Sequence, residues 1–257
     1  MSTSHRVGLI VPSSNTTMET EIPSMLARRT ALGGTTFTFH SSRARLHSVT
    51  SDELARMVDD GERCAQEVAD ADVDVIAYAC LVALMAQGSG YHRVAAERIA
   101  RAAGEVGCEA PIVTSAGALL EGLGALGARR IAVLAPYMKP LTALVVGYIT
   151  DAGIEVLDSH SLEVPDNLAV GRIDPMSLLD HLDRLDVDGA DAVVLSACVQ
   201  CPSLPAIQIA EDRLGLPVLS AATATTFRIL EALGLPTAIP EAGSLLDGTR
   251  SSAAVAR

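Results

Sequence analysis

The sequence contains no tryptophan, and only 3% of its 257 residues are aromatic. A core without large rings must be built from Ala, Val, Leu and Ile, which is the composition typical of helices packed on parallel sheets. Hydrophobic residues make up 49% of the chain, enough for one large core or two small ones. We therefore expect a globular α/β protein.

Basic residues are scarce as well. The chain has 19 Lys and Arg against 31 Asp and Glu, which gives a formal net charge of -12 at pH 7. An acidic surface repels nucleic acid and anionic lipid, so neither is an expected partner. An anionic substrate would have to be held by local donors that act against this overall field.

Several sequence signals of other protein classes are missing. The first apolar run, "VGLIVP", is too short for a signal peptide or a membrane-spanning helix. The five cysteines form no tight framework, which favours reduced thiols over structural disulfides and predicts a cytoplasmic protein. The chain has neither the G-x-x-x-x-G-K of a P-loop nor G-x-G-x-x-G, so nucleotide binding is disfavoured.

Short β-branched runs alternate with amphipathic stretches along the chain, which is the pattern of βαβ units. A helix is predicted from Ser51, which we take as its N-cap because acidic residues and apolar positions at helical spacing follow it. The predicted strands are "RVGLIVP", "TTFTFHS", "DVDVIAYA", "APIVTS", "RRIAVLAP", "GIEVLDS", "ADAVVLSA" and "LPVLSA".

The chain repeats itself internally. "VGLIVP" returns as "IAVLAP", "VDVIAYACLVAL" as "ADAVVLSACVQC", and "APIVTSAGALLEGLGALG" as "LPVLSAATATTFRILEALG", in the same order. We predict two similar α/β halves with parallel sheets, residues 1–127 and 128–240, related by a pseudo-two-fold axis with the active site in the cleft between them. The helix over 221–234 closes the second half and is expected against the first. Residues 241–257 form a small, polar tail whose end should fray.

The repeat draws attention to two cysteines. Cys80 and Cys198 each follow a predicted strand directly, and ligands of doubly wound sheets bind beyond the carboxyl ends of strands. Halves that face each other would bring the two thiols to one cleft from opposite sides. Cys64 and Cys108 have no counterpart in the other half and are interpreted as packing residues.

Cys198 also begins a C-x-x-C motif with Cys201. A zinc site would need two further ligands at suitable spacing, and no second C-x-x-C or H-x-x-x-H is present, so no metal is expected. A redox dithiol is a second alternative for this motif. It would leave the matching Cys80 unexplained.

Polar residues gather in the loop after the first strand, "VPSSNTTMETEIP". Ser13, Ser14 and Asn15 lie where a strand ends and a helix begins, a place that suits a small carboxylate, although an N-cap-rich turn explains them equally well. In the repeat Tyr137 stands where Ser13 stands, and its phenol is a possible second donor. Asn167 lies in a polar loop of the second half and reads by itself as a turn residue.

Taken together, these motifs resemble the maleate cis-trans isomerases of the Asp/Glu racemase superfamily, from Val7 to about Pro240. Paired cysteines alone would indicate only the superfamily, which also contains amino-acid and hydantoin racemases and an arylmalonate decarboxylase. The Asn15 loop, Tyr137 and "VPDN" point to the isomerases. The stretches that carry the resemblance are "VPSSNTTMETE", "YACLVA", "GYHR", "TSAGALLEGL", "PYMKPL", "VPDN" and "SACVQCPSLP".

The resemblance implies a function and roles for these residues. It implies conversion of maleate to fumarate without a cofactor, by thiolate addition to the double bond, rotation and elimination. Cys80 would be the nucleophile and Cys198 its acid/base partner. The expected carboxylate-binding residues are Asn15, Tyr137, Asn167, Ser13 and Ser14, with backbone N–H groups of Leu81, Val82 and Val199. A homodimer is also expected.

Two other functions use the same cleft. An amino-acid racemase would take a proton with one thiolate and return one from the opposite thiol. It would also need an acidic group for the substrate's ammonium, and none stands beside either cysteine in "YACLVAL" or "SACVQCPSL". A non-catalytic module that binds a small anion is the third possibility. Paired thiols favour chemistry over binding alone.

Overall fold

The computed structural model describes residues 3–250, and over that range two four-stranded parallel sheets form the fold. The first sheet has the order β2-β1-β3-β4 and the second sheet the order β6-β5-β7-β8, so each position in one sheet has a counterpart in the other. All eight predicted strands are present, and the prediction of two parallel α/β halves is confirmed. The strands are β1 Thr3–Pro12, β2 Thr35–Ala44, β3 Val75–Tyr78, β4 Ile112–Thr114, β5 Arg130–Ala135, β6 Glu155–Ser161, β7 Ala192–Ser196 and β8 Val218–Ser220.

Helices connect the strands and cover the sheets. The helix predicted from Ser51 begins there, but its N-cap is Thr50, whose side-chain oxygen accepts the backbone N–H of Glu53. Thr50 has the extended backbone that an N-cap requires, whereas Ser51 is already helical. The helices are α1 Met18–Ala31, α2 Ser51–Ala69, α3 Leu81–Met85, α4 Tyr91–Gly104, α5 Ser115–Ala125, α6 Lys139–Asp151, α7 Asn167–Val170, α8 Leu178–Leu182, α9 Leu204–Leu214 and α10 Ala221–Ala232.

The central strands carry the core. Every residue of β3 and β7 is buried, as expected for strands covered on both faces, whereas the edge strand β6 alternates between exposed and half-buried residues. Among residues 3–250, no helix combines the length and the apolar character that crossing a lipid bilayer requires.

Helix α10 follows the last strand of the second sheet but packs on elements of the first. It contacts α1, α5 and β4, and the hydroxyl of Thr225 donates to the hydroxyl of Ser115 at 3.0 Å. The chain beyond it is partly buried as well: Leu245 and Leu246, in the segment expected to be a polar tail, have no exposed surface. The predicted fraying of the extreme end falls on residues 251–257, outside the described residues.

A buried carboxylate also connects a helix of the first half, α1, with a helix of the second half, α9. Glu21 of α1 accepts the backbone N–H groups of Ser203 and Leu204, each at 2.6 Å, at the start of α9. It thus satisfies donors that a helix N-terminus leaves unpaired. Burial raises the pKa of this carboxyl, although the two N–H groups act in the opposite direction.

Substitution of Glu21 tests this contact. Glu21→Ala leaves two buried N–H groups without an acceptor and should lower the free energy of unfolding by about 2–4 kcal/mol. Glu21→Gln keeps one oxygen for both donors and should cost less than about 1 kcal/mol at pH 7. Urea unfolding of the three proteins measures both effects.

The pH dependence of the same comparison has a definite sign. A carboxyl whose pKa is raised by folding binds its proton more tightly in the folded state. The wild-type protein should therefore gain stability relative to Glu21→Gln as the pH is lowered from 7 through that pKa.

At pH 7, an equal loss of unfolding free energy in Glu21→Ala and Glu21→Gln would show that the hydrogen bonds from α9 to Glu21 contribute nothing to stability.

Candidate active site

Cys80 lies two residues beyond β3, at the N-cap of the short helix α3. The backbone N–H of Ala79 donates to the carbonyl of Ile10 at 2.8 Å, which ties the end of β3 to the neighbouring strand. The Cys80 thiol is 2% exposed and accepts a hydrogen bond from the backbone N–H of Ala83. It is therefore a fixed sulfur at a helix N-terminus.

Cys198 lies two residues beyond β7, at the matching place in the second sheet. Its sulfur is 3% exposed and accepts the backbone N–H of Gln200 at 3.3 Å, together with the N–H of Cys201. The hydroxyl of Tyr137, just beyond β5, donates to the same sulfur. Three donors therefore surround this sulfur, compared with the single donor at Cys80.

Burial controls the acidity of both thiols. It raises the pKa of Cys80 to about 12, opposed by the N–H of Ala83 and assisted by the nearby charge of an ionised Cys198. It also raises the pKa of Cys198, although less of that effect survives because Tyr137 and two backbone N–H groups act against it. At both thiols desolvation thus outweighs the pKa-lowering effect of the nearby backbone N–H groups, including those at the N-terminus of α3.

The two cysteines are close enough to affect each other. An ionised Cys198 raises the pKa of Cys80. Burial, assisted by both cysteines, raises the pKa of the Tyr137 phenol far above its usual value. Tyr137 therefore keeps its proton at neutral pH and acts as a hydrogen-bond donor. This arrangement can hold one negative charge between two sulfurs in a place that excludes water.

Asn15 links the first polar loop to the Cys198 loop. Its side-chain oxygen accepts the backbone N–H groups of Thr17 and Met18, both at 2.9 Å, which is the capping role considered for this loop. Its amide nitrogen donates to the carbonyl of Val199 at 3.1 Å. An amide carries two N–H groups, so this bond uses one of the two donors of a side chain that is 1% exposed.

Asn167 begins α7 and faces the same loop. Its amide donates to the hydroxyl of Ser14 at 2.7 Å, and that hydroxyl donates in turn to the carbonyl of Leu46 at 2.6 Å. Asn167 and Tyr137 also line one cavity of about 240 Å³, whose remaining walls are largely apolar. The structure therefore brings Ser14, Asn15 and Asn167 together from both sheets.

Ser13 has a different position. Its side chain is exposed, and its hydroxyl pairs with the backbone of Leu46, accepting the N–H at 3.1 Å. The same hydroxyl donates to the carbonyl of Leu46 at 3.4 Å, so it serves the turn that follows β2 and has no proton left for a substrate carboxylate.

Backbone N–H groups complete the site. Leu81 and Val82 form the first turn of α3, where N–H groups have no partner within the helix, and both residues are at least 95% buried. Val199 is buried beside Cys198. These groups can donate to a carboxylate without adding a positive charge.

Two histidines and an arginine near these motifs have structural contacts. His92 is 8% exposed, and its Nδ1 lies 2.6 Å from the hydroxyl of Tyr148. His47 is exposed, and its backbone N–H donates to Glu53 at 2.7 Å. Arg43 donates to the carbonyls of Ser13 and Asn15 and pairs with Glu19, so it orders the first loop.

Cys201 is buried, and all five cysteines are free thiols. Within residues 3–250, no cluster of three His, Cys, Asp or Glu side chains is arranged to hold a metal ion.

Gln200 is a residue of this site that the sequence patterns do not identify. It lies inside the C-x-x-C motif, is 3% exposed and bonds to loops from both halves of the site.

Comparison with known proteins gives one consistent result. The family model described as arylmalonate decarboxylase matches residues 7–246. A maleate isomerase of Geobacillus stearothermophilus is 60% identical over 244 residues, which cover 95% of this chain and 97% of that protein. A maleate isomerase of Alcaligenes faecalis is 55% identical over 250 residues, which cover 97% of this chain and 99% of that protein.

Two solved structures are similar over nearly the whole chain. A cysteine-to-alanine variant of a Pseudomonas putida maleate isomerase with maleate has a TM-score of 0.95 and 55% identity, covering 96% of this chain and 99% of that one. A cysteine-to-serine variant of the Nocardia farcinica maleate cis-trans isomerase, with a covalently bound succinylcysteine intermediate, has a TM-score of 0.92 and 47% identity, covering 95% and 98%.

The raised thiol pKa predicts how Cys80 reacts. Only the thiolate is alkylated, and with a pKa near 12 its fraction should grow about tenfold per pH unit. The rate of Cys80 alkylation by iodoacetamide, followed by mass spectrometry of its peptide, should therefore rise steadily from pH 7 to pH 9. A plateau below pH 8 would mean that the cleft donors outweigh desolvation.

Proposed function

Since the chain belongs to the family that the arylmalonate decarboxylase model describes, and within it to the maleate isomerases, we infer that it converts maleate to fumarate with its own side chains alone. The observation that carries this function is the pair of buried thiols, Cys80 and Cys198, which lie two residues beyond matching strand ends and are close enough for the charge of Cys198 to raise the pKa of Cys80. Addition of a sulfur turns the C2–C3 double bond of maleate into a single bond, about which rotation is fast.

We propose that the reactive form of the enzyme, a minor fraction at neutral pH because burial raises the pKa of both thiols, carries one negative charge on the thiol pair. Cys198 receives three hydrogen-bond donors, so we place the negative charge on its sulfur and the remaining proton on Cys80. As maleate binds, Cys198 takes the Cys80 proton, and the Cys80 thiolate adds to C2. The π electrons move towards C3 and its carboxylate, and Cys198 returns a proton to C3, which leaves Cys198 as the thiolate again.

Elimination reverses these steps after a half-turn about C2–C3. The Cys198 thiolate removes a proton from C3, the double bond re-forms, and the C2–S bond breaks to release fumarate and the Cys80 thiolate. The proton on Cys198 then returns to Cys80. Every proton and electron pair is recovered, so the two thiols suffice for the cycle. A succinylcysteine in the Nocardia farcinica relative supports the covalent step.

The neutral donors have a catalytic reason. Negative charge that leaves C3 spreads into the adjacent carboxylate, so donors aimed at that carboxylate bind the transition state more tightly than maleate itself. We assign this role to the amides of Asn15 and Asn167, the phenol of Tyr137 and the N–H groups of Leu81, Val82 and Val199, with Ser14 as a support for Asn167.

The racemase alternative has less support. Glu21 is a carboxylate close enough to act on the pKa of Cys201, but it already accepts two backbone N–H groups at the start of α9. It is therefore poorly placed to bind a substrate ammonium.

Arylmalonate decarboxylase structures are 22–24% identical to this chain, and that level of similarity supports a shared fold but not a shared reaction.

Proton NMR of the reduced protein with maleate in D₂O tests the function. Fumarate should appear with no added cofactor, and deuterium at its vinyl position would support protonation at C3 by Cys198. Unlabelled fumarate would indicate a shielded proton or an intermediate that rotates before protonation. Absence of fumarate would refute the isomerase and direct attention to α-proton exchange in aspartate, glutamate and hydantoins.

Cysteine variants separate the roles of the two thiols. Cys80→Ser removes the nucleophile and should lower kcat by about 10³-fold or more. Cys198→Ser should slow proton transfer, so that the protein gains the mass of one maleic acid on Cys80. Cys108→Ser, a half-buried turn cysteine outside the site, is the control and should retain full activity. An adduct on Cys198 in the Cys80→Ser protein would reverse the assignment.

We also propose a cytoplasmic homodimer with a small dicarboxylate as its only required partner. Five free thiols, four of them buried, suit a reducing compartment. Exposed apolar side chains such as Val94 and Leu168 offer surface for a second copy. Light scattering of the native protein would contradict the dimer if it gave the mass of one chain.

A further inference from the structure

We propose that Gln200 is a positioning residue, which holds the Asn15 loop and the start of α7 in register with Cys198. This inference rests on the proposed function, because it concerns how the carboxylate donors of that site are oriented. Gln200 lies between Cys198 and Cys201 in sequence, and its side-chain amide bonds to loops from both halves of the chain.

The Gln200 amide makes three hydrogen bonds, all to main-chain atoms. Its oxygen accepts the N–H of Thr16 at 2.9 Å, and its nitrogen donates to the carbonyls of Ser14 at 3.1 Å and Asn167 at 3.0 Å. Ser14 and Thr16 flank Asn15 on both sides. One buried amide therefore fixes the backbone on either side of Asn15 and the backbone of Asn167 itself.

The backbone of the Cys198 loop is held by the same segment. The hydroxyl of Thr17 donates to the carbonyl of Gln200 at 2.6 Å, and Asn15 donates to the carbonyl of Val199. The backbone N–H of Gln200 points to the Cys198 sulfur at 3.3 Å. Gln200 is thus connected to a thiol and to both asparagines, although its side chain contacts neither thiol.

Gly171 supplies an independent observation. A Cβ at this position would lie 2.6 Å from the Gln200 amide nitrogen and 2.6 Å from the Thr16 hydroxyl. Gly171 has no positive φ, so the restriction comes from close packing against Gln200 and not from backbone conformation. The end of α7 therefore packs tightly against the Gln200 amide and against Thr16 of the first loop.

These contacts require an amide in particular. Replacement by Glu keeps the shape and the acceptor for Thr16 but turns the donor to Ser14 and Asn167 into a second acceptor, so two attractions become repulsions in a buried place. Gln200→Glu should therefore separate α7 from the first loop while leaving β3, α3 and Cys80 in place. Gly171→Ala should displace the same amide by a steric route.

The experiment measures protection of Cys80 by succinate, a dicarboxylate without a double bond to attack. Iodoacetamide alkylation of Cys80 is followed at pH 8.5 over a series of succinate concentrations. In Gln200→Glu and Gly171→Ala, half-protection should require at least about tenfold more succinate than in wild type, whereas the unprotected rate should stay within about threefold. KM for maleate should rise more than kcat falls.

Gln208→Glu is the matched control. Gln208 lies on α9, where its amide donates to Asp212 at 2.9 Å and accepts from Gly243 at 3.3 Å, away from the thiols. It should leave half-protection unchanged. Wild-type protection in Gln200→Glu, or a large rise in unprotected Cys80 alkylation together with a fall in Tm, would overturn the inference.

Assays of wild type and of both variants distinguish failure of the Gln200 inference from failure of the proposed isomerase activity. Fumarate formation with unchanged succinate protection in both variants would refute the role of Gln200 and leave the isomerase intact. If succinate gives no protection in wild type, KM for maleate decides, and an unchanged KM in Gln200→Glu and Gly171→Ala would overturn the inference. Lack of fumarate formation, by contrast, would refute the isomerase itself.

Discussion

Desolvation of two thiols is the constraint on which the site depends. Cys80 and Cys198 are each at most 3% exposed, and burial raises the pKa of both. A thiolate in such a place needs donors, and the protein supplies them from backbone N–H groups and a phenol instead of from Lys or Arg. The same exclusion of water strengthens every hydrogen bond to a bound carboxylate. Exclusion of water therefore raises the free energy of forming the thiolate and also strengthens the hydrogen bonds of the proposed carboxylate donors.

The repeated fold produces two sulfurs at equivalent places, and the surrounding loops make them unequal. Cys80 caps a five-residue helix and receives one N–H, whereas the Cys198 loop folds back so that Gln200, Cys201 and Tyr137 all donate to its sulfur. Tyr137 occupies the place of Ser13 in the repeat, and Ser13 bonds to the turn after β2 instead. The proposed division into nucleophile and acid/base thus rests on the loops, which can diverge while the sheets stay alike.

Sequence patterns predicted the parts of this molecule that have a local period or a repeat. The eight strands follow from β-branched runs, and the equivalence of Cys80 and Cys198 follows from the repeated strand ends. The predicted N-cap, Ser51, lies one residue after the observed N-cap, Thr50. Ser and Thr have similar N-cap preferences, so only the backbone angles show which of the two residues precedes the first helical residue. Gln200 and Glu21 could not be found in this way, since their partners lie about 180 residues away in sequence and side-chain direction in a loop leaves no periodic signal.

The absence of a cation among the proposed donors fits a chain with a net charge of -12. The arginine at the first loop, Arg43, binds main-chain carbonyls and Glu19, so its charge is balanced at the rim. A cation inside the cleft would bind the maleate dianion strongly before the transition state is reached, and the part of that attraction common to both states lowers KM without raising kcat. Neutral donors bind the ground state less tightly and gain strength as charge moves from the thiolate into the carboxylate. The proposed set of donors would therefore give up ground-state affinity and retain the part of the interaction that grows along the reaction.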